Sequence, residues 1–238
     1  MTNRNALNMK KICVLLFLGL VCKSPMAQVL QGAWKRNLDT AVQTLTIIDN
    51  YFTVATFRLQ EKQFVNTSGG TAALDNETLK GKMEFHTANR SQVSQTYSLP
   101  CIQQGNSLIF PYGGLDVTWE RLDDGKQALA GNWKIIGREQ DGKINEMRPG
   151  ARKTIKILSG TRFQWAAINS ETGDFFGTGG GYYTFENGKY TEHIEFFSRD
   201  ASRVGASLSF NGELRDGNWH HSGLSSKGDR IYEIWIRK

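Results

Sequence analysis

Two carboxylates stand among aromatic residues in the last quarter of the chain. Glu192 lies between Tyr190 and Ile194 at a spacing of two, and Glu233 lies between Ile231 and Trp235 at the same spacing. On a β-strand that spacing puts each set of three on one face. A carboxylate on an apolar face is costly unless paired, so it invites a cation, a hydrogen-bond donor or a raised pKa. Two of them can also work as general acid and base, the arrangement of a carboxylate-based hydrolase. Other motifs carry less. Gly177-Thr178-Gly179-Gly180-Gly181 lacks the Lys-Ser/Thr of a phosphate loop and the spacing of a dinucleotide fingerprint, and reads as a kinked strand or a close backbone approach. His220-His221 would aim its two rings at opposite faces, a poor joint metal site, which leaves His221, beside an inward Trp219, as a hydrogen bonder in a pocket. Ser198-Arg199-Asp200 has no histidine placed to complete a nucleophile triad. No metal, no cofactor and no catalytic residue is expected.

The elements that must position these groups are strands. Asn50, Asp124-Gly125, Asp141-Gly142, Asn187-Gly188, Asn211-Gly212 and Asp216-Gly217 punctuate short runs rich in Thr, Val, Ile, Phe and Tyr, the signature of hairpins. No window sustains apolar residues at i, i+3, i+4 and i+7, so the chain reads as all-β.

The chain also repeats itself. Gly32-Ala33-Trp34-Lys35 recurs as Gly131-Asn132-Trp133-Lys134, and Thr44-Leu45-Thr46-Ile47-Ile48 as Thr154-Ile155-Lys156-Ile157-Leu158. Gly69-Gly70 recurs as Gly180-Gly181, Met83-Glu84-Phe85 as Ile194-Glu195-Phe196, and the halves end alike on Trp119-Glu120-Arg121 and Trp235-Ile236-Arg237. Ordered matches of this kind are a tandem duplication with loop insertions. They divide the chain into an N-terminal unit (28–121), a polar linker (122–127) and a C-terminal unit (128–238), with few contacts expected across the linker. Each unit has room for about eight strands, enough to close an antiparallel up-and-down barrel.

Alternation then assigns faces. Leu79, Gly81, Met83 and Phe85 face inward in the first unit, as do Leu115, Val117, Trp119 and Arg121. Carried across the repeat, Tyr190, Glu192, Ile194 and Phe196, and Ile231, Glu233, Trp235 and Arg237, face the interior of the second unit, with Phe163, Trp165 and Ala167 adding wall. Two carboxylates thus replace Gly81 and Val117. Either they lie near an open mouth in water, or a bulge turns one outward, or they serve a functional pocket.

A Gly-x-Trp on the first strand and an Arg on the last resemble the lipocalin or calycin barrels, in which the Arg packs over the Trp to close the floor. Both units match, Trp34 with Arg121 and Trp133 with Arg237. The C-terminal unit, through Gly179-Gly180-Gly181-Tyr182-Tyr183, Glu195-Phe196-Phe197-Ser198-Arg199-Asp200 and Tyr232-Glu233-Ile234-Trp235, is also similar to an uncharacterised family of secreted bacterial lipocalin-like domains. The resemblance implies two tandem lipocalin-like barrels. It departs from true lipocalins in lacking a Thr-Asp-Tyr motif and a C-terminal helix after the last strand.

The formal charge of +6 invites a nucleic-acid reading, but Arg4, Lys10, Lys11 and Lys23 sit without any acid in residues 1–27, leaving 25 basic against 23 acidic side chains. Those first residues have a basic start, an apolar run from Ile12 to Cys22 too short to span a bilayer, and a small-residue end at Ala27, which reads as a signal peptide cut before Gln28. A lipid anchor on Cys22 is disfavoured by the preceding Val21. Removal of Cys13 and Cys22 leaves Cys101 alone, so no internal disulfide is expected in a secreted or periplasmic chain. The expectation is a non-enzymatic binding protein whose ligand site, in the C-terminal barrel, comprises Phe163, Trp165, Tyr190, Glu192, Ile194, His221, Glu233 and Trp235. Its ligand would have an apolar body and a polar or cationic head. The alternatives are a structural or partner-binding envelope protein with filled barrels, and a hydrolase using the two carboxylates.

Overall fold

The computed structural model describes residues 30–112, 115–225 and 227–238. The signal-peptide reading, with Cys13, Cys22 and the cut before Gln28, lies outside the described residues. The N-terminal half comprises β1 (Gly32–Asn37), β2 (Val42–Ile48), β3 (Tyr51–Arg58), β4 (Gln63–Thr71), β5 (Ala73–Asp75), β6 (Thr78–His86), β7 (Thr96–Pro100), β8 (Ile102–Gln104), β9 (Ser107–Tyr112) and β10 (Leu115–Asp123). The C-terminal half comprises β11 (Gly131–Gln140), β12 (Lys143–Glu146), β13 (Arg152–Leu158), β14 (Arg162–Asn169), β15 (Asp174–Glu186), β16 (Lys189–Phe197), β17 (Ser207–Arg215), β18 (Asn218–Leu224) and β19 (Arg230–Arg237). All pairings are antiparallel, between sequence neighbours or across one short intervening strand (β4 with β6, β11 with β13), apart from closures between first and last strands. The protein is therefore all-β and built as two tandem up-and-down units. No helix of the described residues is long and apolar enough to cross a membrane.

In the C-terminal half β19 pairs back onto β11, closing an eight-stranded barrel to which β12 adds a hairpin arm. The N-terminal sheet curls the same way, and β10 pairs with β1, but it does not close. Two prolines stand at the open seam. Where β17 pairs Asn211 with Ser222 on β18, a constant displacement of 111 residues puts Pro100 opposite Pro111, and neither can donate to a ladder. The single strand β17 is accordingly represented by two pieces, β7 on β6 and β8 on β9, with Cys101 between them donating its N–H to Glu77 O at 2.8 Å.

Pairing register corrects the internal alignment of the repeat. Leu45 stands across from Trp34 and Val54, and Lys156 across from Trp133 and Trp165, so Lys156 takes the place of Leu45, not of Thr46. A one-residue slip moves every side chain to the opposite face, and here it moves a lysine from the outside to the interior. A second correction concerns Phe85 and Phe196, expected inside. A bulge at Glu84 and its counterpart at Glu195 turns both phenylalanines outward. Each bulge is set by a glycine under a carbonyl: a Cβ at Gly70 would lie 2.0 Å from Lys82 O, and one at Gly181 only 1.9 Å from His193 O. The glycine run 177–181 thus serves close backbone approach within β15. Asn211-Gly212, expected as a turn, lies inside β17. Asp141-Gly142, Asn187-Gly188 and Asp216-Gly217 do turn hairpins with two successive positive φ values, as does Asp49-Asn50.

The few contacts expected between the halves are also corrected. The outward residues Ile48, Tyr51 and Phe85 pack with Ile155, Ile157, Ala166 and Ile168 in a single buried cluster, and Phe57 stacks on Phe196 at 5.0 Å. The outer faces of β2, β3, β13 and β14 carry apolar residues, among them Ile48, Tyr51, Ile155 and Ile168, so each strand buries its second face against the other half. Polar groups are matched there too. Asp123, at the start of the expected linker, accepts hydrogen bonds from Ser159, Gly160 and Thr161 at 2.7–2.9 Å, and Lys153 pairs with Glu84 at 2.7 Å.

The two arginines expected to close the barrels differ. Arg121 lies over the Trp34 ring at 4.0 Å and donates to Gln31 O. Arg237 stands beside Trp133 in register, but its guanidinium grips Asp49 of the N-terminal half at 2.7 and 2.9 Å. It fastens the halves together, because the β2–β3 turn brings Asp49 within reach of the floor of the second barrel.

Candidate functional site

Each half holds a cavity on its concave face. The N-terminal one, about 510 Å³, is walled by Leu45, Phe52, Leu79, Met83, Phe110 and Trp119, with the Tyr97 hydroxyl turned away to donate to Thr71 O at 2.5 Å. The C-terminal one, about 430 Å³, contains Arg138, Lys156, Glu192, His221 and Glu233 among Trp165, Ile194 and Trp235.

Register explains how the second cavity acquired its charges. Lys156, Glu192, His221 and Glu233 stand where the first half has Leu45, Gly81, Phe110 and Val117. Lys156, on β13, donates to Glu192 Oε1 on β16 at 2.8 Å, and both side chains are buried, at 6% and 7% exposure. The Tyr190 hydroxyl donates to the same oxygen at 3.0 Å. The Lys156 ammonium also sits 5.2–5.3 Å from the ring centres of Tyr190, Trp219 and Trp235, an aromatic cage that offsets part of its lost hydration.

Glu233, on β19, is the hub of a second set. Arg138 reaches in from β11 to donate to Oε1 at 2.6 and 3.1 Å, Trp235 Nε1 donates to Oε2 at 3.2 Å, and His221 Nδ1 lies 3.3 Å from Oε2. Burial would raise the Glu233 carboxyl, but the His221 contact and the charges of Lys156 and Arg138 outweigh it and hold the group at about 2. Burial and the Lys156 charge lower the His221 imidazole against the pull of Glu233, so the ring is neutral near pH 7. The Tyr190 hydroxyl is pushed well above its ordinary value by burial and by Glu192.

Of the eight residues expected to line a ligand site, Trp165, Glu192, Ile194, His221, Glu233 and Trp235 meet at the cavity. Phe163 and Tyr190 lie beneath it in the barrel core, edge to face at 6.5 Å. Neither carboxylate lies in open water and neither is turned outward. Lys156 and Arg138 were missed. The signal for Lys156 was present, since the 111-residue displacement that aligns Phe52 with Phe163 assigns it to an inward position. Arg138 follows a bulge in β11, where alternation gives no guide. Among the described residues no group of three or more His, Cys, Asp or Glu could hold a metal ion. Compared with known proteins, the chain matches no family model and no curated protein.

Proposed function

We propose that the protein is a non-enzymatic, lipocalin-like binder of small molecules, exported by the signal at residues 1–27, with its ligand site in the C-terminal barrel. One observation carries this reading: the cavity of a closed barrel opens onto a buried, interlinked polar cluster whose four positions are apolar or glycine in the twin half. Buried ion pairs contribute little to stability relative to well-packed apolar side chains. A set of them lining a cavity therefore argues for recognition. The apolar body of the ligand lies against Trp165, Ile194 and Trp235, and its polar head meets the cluster. Because Lys156 and Arg138 already neutralise Glu192 and Glu233, an uncharged or anionic head suits the site better than a cationic one. A carboxyl held at about 2 keeps Glu233 from acting as a general acid near neutral pH.

The test follows the indole N–H resonances of Trp165 and Trp235 during titration with 1-decanol, decanoate and decyltrimethylammonium. Saturable shifts are expected with the first two, and Ala167→Phe, which fills the cavity wall, weakens them roughly tenfold or more. The reading fails if none of the probes moves these resonances, or if only Trp119 in the N-terminal half responds.

A further inference from the structure

His221 lines the cavity, and one of its ring nitrogens is buried without a hydrogen-bond partner among the described residues. Its ring is 2% exposed, packed among Tyr190, Phe210 and Trp219 at centroid distances of 5.7, 4.2 and 5.1 Å. Nδ1 faces Glu233, which also takes donors from Arg138 and Trp235, whereas the buried Nε2 has no partner among the described residues. An ionised carboxylate can only accept, so Nδ1 must carry the proton of the neutral ring. That fixes Nε2 as a bare acceptor. A buried acceptor left without a donor is costly, and the corresponding residue in the twin half is Phe110, which fills the same place with no such need.

We infer that His221 Nε2 is the recognition atom of the C-terminal site, accepting a hydrogen bond from an uncharged donor, a hydroxyl or amide N–H, on the head of the bound molecule. This rests on the cavity being a ligand site, as proposed above. Arg138 and Glu233 act as positioning residues: they hold the imidazole in the tautomer that accepts at Nε2. An ammonium head would also donate, but it would meet the charges of Lys156 and Arg138. An ether or ester head would present only lone pairs to a lone pair, and is disfavoured by repulsion and by the unmet acceptor.

The experiment uses the chain from residue 28 to 238, ¹⁵N-labelled, with long-range proton–nitrogen spectra of the imidazoles and two probes of equal body, 1-decanol and decyl methyl ether. In the free protein Nδ1 of His221 is expected to be pyrrole-type and Nε2 pyridine-type. Decanol moves the Nε2 resonance in proportion to occupancy, while the ether leaves it in place and binds roughly tenfold or more weakly, as read from the Trp165 indole. His221→Phe removes this preference, so that the two probes bind alike. Glu233→Gln, whose amide can donate to Nδ1, transfers the proton to Nε2 and abolishes or inverts the preference, an effect that a purely structural role for Glu233 would not produce. A pyrrole-type Nε2 in the free protein, or equal binding of the two probes with Nε2 unmoved, overturns the inference while leaving the binding function standing. Absence of any Trp165 response to either probe overturns both.

Discussion

The two halves share strand order, hairpin turns, a bulge and a Trp at the floor, yet one encloses an apolar, open-seamed cup and the other a closed barrel with charges inside. The difference reduces to a few positions. Leu45, Gly81, Phe110 and Val117 became, or came from, Lys156, Glu192, His221 and Glu233. Such changes are not independent. Any one charge alone in that interior would be unpaired and strongly destabilising, so the cluster is stable only as a set. Gly81 adds a further constraint: a Cβ there would lie 1.9 Å from Thr71 O, so the N-terminal half has no room for a counterpart of Glu192. The lesson is that one barrel scaffold accepts an apolar or an ionic interior, provided that the ionic one arrives with its partners.

The comparison breaks most sharply at Lys156. Lys156→Met leaves Glu192 buried with only the Tyr190 hydroxyl, and urea unfolding should show a loss of about 3–5 kcal/mol. Adding Glu192→Leu, which restores an apolar layer like that of the first half, should recover most of it. A loss below about 1 kcal/mol in the single variant would mean that the pair is solvated and the two interiors are less different than described.

Acid provides a second contrast, because Glu233 titrates and its counterpart Val117 cannot. The folded Glu233 carboxyl is depressed to about 2 from an ordinary value of 4.5, so its contribution is fully present above 4.5 and is lost as pH falls toward and through 2. The whole effect is on the order of 3 kcal/mol. Hydrogen exchange read by peptide mass between pH 6 and pH 3 should show protection falling further in β18 and β19 than in β9 and β10. Equal losses in both halves would place the acid sensitivity at their shared interface.

The smallest effect concerns the seam. Pro100→Asn with Pro111→Ser copies the C-terminal residues Asn211 and Ser222 and restores the missing donors. It should stabilise by about 1 kcal/mol for each hydrogen bond formed, with new exchange protection along β7 and β9. Unchanged protection would mean that side-chain packing, and not the prolines, holds the cup open.

Local chemistry determined much of this from the sequence alone. Asp-Gly and Asn-Gly pairs at hairpin spacing, β-branched runs and the absence of helical periodicity fix an all-β chain, and recurrence of Gly-x-Trp and Gly-Gly fixes its duplication. Period-two alternation also put Trp165, Glu192, Ile194, Glu233 and Trp235 on inner faces, and His221 beside them, because within one strand a side chain's face depends only on parity. Parity fails across a bulge, which is why Phe85 and Phe196 were assigned to the wrong side and became the join between the halves. Above all, the partners of the carboxylates were left to the tertiary structure: Lys156 is 36 residues from Glu192 and Arg138 is 95 from Glu233. Which cation meets which carboxylate depends on strand register and barrel closure, and a one-residue slip in β13 would have put Lys156 in the interface with the other half and left Glu192 unpaired.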